Sequence, residues 1–306
     1  MVPSINGFHI EPTNICTLKC PGCSRTQFIN QFGKHWLNHS INIEELCQFL
    51  DVDLSGKSIS FCGNYGDPIY HHDLIGLVSF FKKKHSIITI TTNGSYKTES
   101  WWNKLCQILD ENDKIVFSVD GSPENFKNYR INANWESIKV GMQTVGKSPI
   151  KSTWKYIPFN YNVDTINQTQ ELARQIGIKN FKVSPSDRFD QHTEHLIPLQ
   201  EFLGARKASQ DNFKDNQKIE EIEKECNNGK MHYISADGYY SPCCYSADHR
   251  FRYKTVFGKA AEQFNIRKHT LTEILSAPKT VEFYNTIQDD KPAVCQFNCP
   301  KTPKVV

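Results

Sequence analysis

The sequence has no long apolar run, no charge excess of either sign and no low-complexity tract. Its densest apolar stretch, Leu74 to Phe81, runs into Lys82, Lys83 and Lys84 and is too short to cross a bilayer. The opening residues, MVPSINGFHIEP, lack the charged start and apolar core of a secretion signal, so a cytoplasmic protein is expected. A formal net charge of +3 over 306 residues, with no basic stripe interleaved with aromatics, argues against nucleic acid or an anionic membrane as partner. No short-period repeat is present. The hydrophobic share of 38% and the charged share of 23% are ordinary for a globular chain, and the length suits one large domain with a smaller appendage.

What the chain has in quantity is cysteine. There are 11. An odd number, no signal peptide and tight clustering favour metal over disulfides. One group is Cys16, Cys20 and Cys23; the other is Cys226, Cys243, Cys244, Cys295 and Cys299. Cys47, Cys62 and Cys106 sit inside apolar patterns and are expected as buried thiols.

Strand-like and helix-like segments alternate through the first two thirds. The strand candidates are Phe8–Glu11, Ser58–Cys62, Ile87–Thr92, Ile115–Val119, Thr153–Pro158 and Phe181–Val183. Between them, Asn42 and Glu45 form a capping pair ahead of Leu46 and Leu50, and Asp73 opens a helix that closes in three lysines. Helical patterns follow over Trp101–Leu109 and Trp135–Val145, and a last one from Asp164 stops at Gly177. Six strands alternating with helices imply a parallel sheet with right-handed crossovers, hence an α/β partial (β/α)6 barrel of TIM type with its site in the loops after the strands. The rhythm breaks near Leu199. A polar helix over Lys218–Lys224 and a hairpin, His232–Ile234 with Tyr239–Tyr240 turning at Asp237-Gly238, are expected there. The expected division is a barrel over 1–198 and a small metal-stapled domain over 199–306.

Cys16-Thr17-Leu18-Lys19-Cys20-Pro21-Gly22-Cys23 directly follows the first strand. A cubane takes four ligands, usually thiolates, so three close cysteines leave one iron open. Structural zinc sites instead pair C-x2-4-C units and close at four ligands, a poorer fit to three cysteines in eight residues. C-x3-C-x2-C in the loop after strand one resembles the signature of the radical S-adenosylmethionine (SAM) superfamily.

That resemblance implies a [4Fe-4S] cluster on Cys16, Cys20 and Cys23 whose open iron binds SAM. It further implies reductive cleavage of SAM to a 5'-deoxyadenosyl radical that takes hydrogen from a small-molecule or peptide substrate. Gly63-Asn64-Tyr65-Gly66-Asp67-Pro68 is similar to the family's Gly-Gly-Glu-Pro turn, whose backbone meets the SAM amino group, with Asp67 in place of glutamate. Asn93 closes strand three, and Ser118-Val119-Asp120-Gly121 with Arg130 resembles the fourth-strand pattern that holds the ribose and carboxylate of SAM. Gly22 stands where the family commonly has an aromatic residue beside the adenine. On the residues alone, Gly63–Pro68 also suits an ordinary turn and Arg130 a surface position.

The second cysteine group resembles the auxiliary-cluster region of the SPASM and Twitch subgroups. Cys226 and Cys243, with Gly238 between them, and Cys295 and Cys299 would complete one auxiliary [4Fe-4S] cluster for electron transfer or structure, with Cys244 a substitute for Cys243 or a free thiol. A flavodoxin or ferredoxin as electron donor follows by analogy only. The first strand starts near residue 7, which tilts the substrate toward a small molecule. Tyr65, His71, His72, Asn160, Tyr161, Ser184, Ser186, Asp187, Arg188 and Tyr245 are candidates for substrate contact. The reading from another class is a non-catalytic, zinc-stapled binding protein.

Overall fold

The computed structural model describes residues 4–186, 189–190, 192–203, 226, 229–230, 232–290 and 292–299. Asp187, Arg188 and the helix expected over Lys218–Lys224 lie outside the described residues. Strands β1 (Gly7–Ile10), β2 (Ser58–Phe61), β3 (Ile87–Thr92), β4 (Lys114–Ser118), β5 (Lys151–Tyr156) and β6 (Asn180–Val183) lie side by side in sequence order, all parallel. This is the expected partial barrel. β3 falls where the sequence places it; β5 begins two residues before Thr153 and ends two before Pro158, which has no N–H to give to a ladder.

Helices α1 (Ser24–Phe32), α2 (Ile43–Phe49), α3 (Leu74–Lys83), α4 (Glu99–Cys106), α5 (Trp135–Gly146) and α6 (Ile166–Ile176) alternate with these strands. Their ends follow local chemistry. Asn42 and Glu45 form the capping box of α2, Asp73 accepts from Gly76 N at the start of α3, and α6 stops at Gly177 with φ 98°.

The two faces of the sheet differ. Phe8, Ile10, Ile59, Phe61, Ile88, Ile90, Ile115, Phe117, Trp154 and Tyr156 are fully buried in the main core. The alternate positions, among them Ser60, Thr89, Thr91, Ser118 and Lys155, are only half-buried. A parallel sheet covered on both faces reads as a continuous apolar run. The polar, half-open inward face marks a cleft instead of a second core.

The expected hairpin is present as β7 (His232–Ile234) and β8 (Tyr240–Ser241), with Gly238 at φ 85° in its turn. The sequence did not show where this hairpin docks. β7 pairs in parallel with β1, Phe8 opposite His232 and His9 opposite Tyr233, so among the described residues the sheet has eight strands. Helices α7 (Cys244–Ala247), α8 (Val256–Lys259), α9 (Leu271–Ser276), α10 (Pro278–Asp290) and α11 (Ala293–Asn298) follow. Tyr240, Phe257, Phe264, Ile266 and Leu271 join the same apolar cluster as the barrel residues.

One expectation fails. Cys47 is exposed, not buried, because Leu46, Phe49 and Leu50 form the inward side of α2 and its terminus and Cys47 lies off that side. Cys62 and Cys106 are half-buried.

Candidate active site

Glu11 follows β1 and is buried. Its Oε1 accepts from the N–H groups of Tyr65 at 2.7 Å and Gly66 at 2.9 Å, and its Oε2 from the Tyr233 hydroxyl at 2.7 Å. Since N–H and C=O of one peptide unit point in opposite directions, the carbonyls of Asn64 and Tyr65 face away from Glu11. Burial holds the Glu11 carboxyl above its ordinary range despite these donors. A Cβ at Gly66 would collide with the carbonyl of Thr13, so this loop can lie against the cysteine loop only with glycine there.

Asp67 ties that turn to the end of β3. Its carboxylate accepts from Thr92 Oγ1 at 2.7 Å, from Asn93 N and Nδ2 at 2.6 Å each, and from Ile69 N at 3.2 Å. Asn93 Nδ2 also lies 3.7 Å from Cys16 Sγ. The carboxylate is thus consumed by the protein, and burial raises its affinity for a proton.

The cysteine loop is pinned from several sides. Asn14 bonds Leu37 O and His39 N, Lys19 N donates to Ile131 O, and Cys23 N donates to Cys20 O at 3.1 Å before Cys23 opens α1. Burial, with Asp67 and the neighbouring thiols adding repulsion, pushes Cys16 up to about 12; burial pushes Cys20 up to about 11 even though Arg130 opposes it. Cys16 and Cys20, which resist ionising alone, form with Cys23 a donor set suited to a cationic iron centre, which supplies the missing positive charge. Among the described residues no group of three His, Cys, Asp or Glu is arranged to hold a single metal ion. A cubane asks for something else, since its ligands bind separate irons and stand farther apart.

Ser118 ends β4 on the inward face, opposite Lys155. Asp120, fully buried, pairs through Oδ2 with Arg130 Nε at 2.7 Å and accepts from Ile157 N through Oδ1. Arg130 Nη1 reaches Cys20 Sγ at 3.8 Å, so the arginine bridges the fourth strand and the cysteine loop and is not a surface residue. Beside it Tyr129, Phe159 and Tyr161 form a ring stack with centroids 4.5 and 5.6 Å apart.

Cys226 and Cys243 both stand near Tyr240 and Tyr284, and Cys244 stands near Tyr233, beside Glu11. Cys295 lies in α11 and Cys299 just beyond it, and α11 packs against α7, which Cys243 opens. This segment is also bound to the start of α1 and to the turn after β2. Ser24 donates to Asp248 at 3.0 Å, Asn64 Nδ2 to Cys244 O at 2.8 Å and His249 N to the Tyr65 hydroxyl at 2.7 Å.

Of the candidates for substrate contact, His71 is buried, bonds Ile41 O through Nε2 and accepts from Asp73 N, so its role is structural; His72 stacks on it at 4.4 Å. Asn160 bonds His195 O, Tyr161 donates to Asp120 O at 2.8 Å, and Ser184 and Ser186 follow β6. Tyr245 lies in α7. Glu11, Asp248 and Lys155 were missed; for Glu11 a signal existed, an acid ending an apolar strand.

The profile of the radical SAM superfamily matches residues 10–176, and that of the SPASM iron–sulfur cluster-binding domain residues 226–300. No curated protein matches the sequence. Among solved structures, BtrN in complex with AdoMet and 2-DOIA superposes with TM-score 0.52 at 14% identity, covering 98% of this chain and 94% of that one. Streptococcus suis SuiB bound to S-adenosylmethionine gives 0.59 at 15% identity over 95% and 77%. SuiB bound to the precursor peptide SuiA gives 0.57 at 15% identity over 80% and 61%. The iron–sulfur match leaves the zinc-stapled alternative without support. No helix among the described residues is long and apolar enough to cross a membrane. With the cysteine loop after β1, the parallel partial barrel and a profile spanning more than half its length, this chain belongs to the radical SAM superfamily.

Proposed function

We propose that the protein binds a [4Fe-4S] cluster through Cys16, Cys20 and Cys23 and uses SAM to abstract hydrogen from a substrate held in the barrel. When bound and reduced, the cluster supplies the electron that splits SAM into methionine and a 5'-deoxyadenosyl radical. The carbonyls of Asn64 and Tyr65, turned outward by Glu11, accept from the SAM amino group, and the guanidinium of Arg130, oriented by Asp120, takes its carboxylate. Asn93 and Asp67 hold the loop against Cys16, and Ser118 faces the ribose. Residues 199–306 form the auxiliary unit, whose cluster is bound by Cys226, Cys243, Cys295 and Cys299 and serves electron transfer or structure. Cys243 is preferred over Cys244 because it stands, like Cys226, near Tyr240 and Tyr284. The substrate is a small molecule or a peptide side chain, the two kinds found in the solved complexes that the chain resembles. A flavodoxin- or ferredoxin-type donor and a cytoplasmic setting complete the reading.

The observation that carries it is the three-cysteine loop after β1, bridged by Arg130 to Asp120. The test is iron and sulfide content after anaerobic reconstitution, with 5'-deoxyadenosine release under reductant. About eight irons in the parent and about four in the Cys16→Ala/Cys20→Ala/Cys23→Ala variant, with release from the parent alone, are expected. Zinc in place of iron, with no release, would overturn the reading.

A further inference from the structure

The inward face of the sheet carries two lysines in one row. Ser118 of β4, Lys155 of β5 and Lys182 of β6 stand opposite one another in the parallel ladders, so their side chains share a face. Trp154 and Tyr156, the neighbours of Lys155, are fully buried on the helix side, which puts Lys155 on the cleft side. Its charge is felt both by Asp120 after β4 and by Cys62 after β2, three strands away, so the ammonium extends into the barrel interior.

Among the described residues this pair has no carboxylate partner of its own. The three buried carboxylates that edge the interior are committed elsewhere: Glu11 to Tyr65, Gly66 and Tyr233, Asp67 to Thr92 and Asn93, and Asp120 to Arg130. Among the described residues neither Lys155 nor Lys182 makes an ion pair. Like charges on directly facing positions of neighbouring strands destabilise a sheet. A bound anion would relieve that repulsion, and the hydroxyl of Thr153 on the same face adds a hydrogen-bond donor.

We propose that Lys155 and Lys182 form an anion subsite at the β5–β6 side of the cleft that holds a carboxylate or phosphate of the substrate. The proposal rests on the barrel interior being the substrate cleft, and it makes the two lysines specificity-determining, not catalytic. Its geometry places the anionic group across the interior from Cys62.

The test uses the reconstituted, SAM-loaded full chain and two probes, inorganic phosphate and acetate, each titrated against chloride at equal ionic strength. Saturable binding of either probe, weakened at least tenfold in Lys155→Met and largely restored in Lys155→Arg, is expected; which probe binds identifies the anion. Protection of Lys155 from acetylation by the same probe, read by peptide mass spectrometry on the unaltered protein, tests the site without any variant. Equal binding by parent and Lys155→Met, or no protection of Lys155, overturns the subsite. Iron content and 5'-deoxyadenosine release on the same samples separate the two failures: an iron-loaded, SAM-cleaving protein without protection loses only the subsite.

Discussion

Asp67 shows what a single methylene decides. The family's turn ordinarily carries glutamate, and here the shorter carboxylate is surrounded by Ile69 N, Thr92 Oγ1 and both nitrogens of Asn93 within 3.2 Å. Asp67→Ala leaves several buried donors without acceptors, each costing about 1–3 kcal/mol, so a loss of roughly 3 kcal/mol or more is expected. Asp67→Glu restores the family residue but overpacks a closed site and is expected to cost about 1–3 kcal/mol. Chemical denaturation of both variants checks the order, and a Glu variant as stable as the parent would refute the fit described. The aspartate was legible in the sequence as a deviation; its four partners were not, because three of them come from the end of another strand.

At the scale of elements, the segment after β8 is a latch on the cluster loop. Ser24 of α1, Asn64 and Tyr65 of the turn after β2 each hold a group between Cys244 and His249, and Phe28 and Tyr65 pack rings against His249 with centroids at 5.6 and 6.2 Å. Each hydrogen bond contributes about 0.5–1.5 kcal/mol net. The triple variant Ser24→Ala/Asn64→Ala/Tyr65→Phe removes the bonds and keeps most of the apolar contact. Hydrogen exchange of residues 244–249 is expected to rise by roughly tenfold or more, with both clusters still loaded. Unchanged exchange would mean that β7 alone holds the segment. Periodicity cannot show such a latch, since its partners lie some 180–224 residues apart.

For the molecule as a whole, the seam between β1 and β7 joins the barrel to the cysteine-rich C-terminal part, and it contains two histidines, His232 buried and His9 half-buried. His9 donates to Cys62 O at 3.0 Å and meets Tyr233 edge-on, while His232 bonds Tyr240. Burial lowers both imidazoles from 6.5 to about 4. A lowered folded-state value means the neutral ring is favoured by folding. That stability is complete above 6.5 and is lost as pH falls from about 6.5 toward about 4. Each ring is worth up to roughly 3 kcal/mol, His9 less because it borders the half-open inward face. Unfolding midpoints taken between pH 7.5 and 5 are expected to fall for the parent and to flatten in His9→Asn/His232→Asn. Equal slopes would place the acid sensitivity elsewhere.

The sequence by itself determined the alternation of strands and helices, the caps at Asn42, Asp73 and Gly177, and the cysteine loop, because these depend on residues close together in the chain. It also carried the tight turn at Gly238. Only the tertiary structure decided that β7 docks on β1, that Arg130 lies between Asp120 and Cys20, and that Lys155 lies on the cleft side of β5. Those facts depend on which strand edge stays open and which carboxylates are already satisfied. No local pattern records either, because both are settled only when distant segments compete for the same hydrogen bonds.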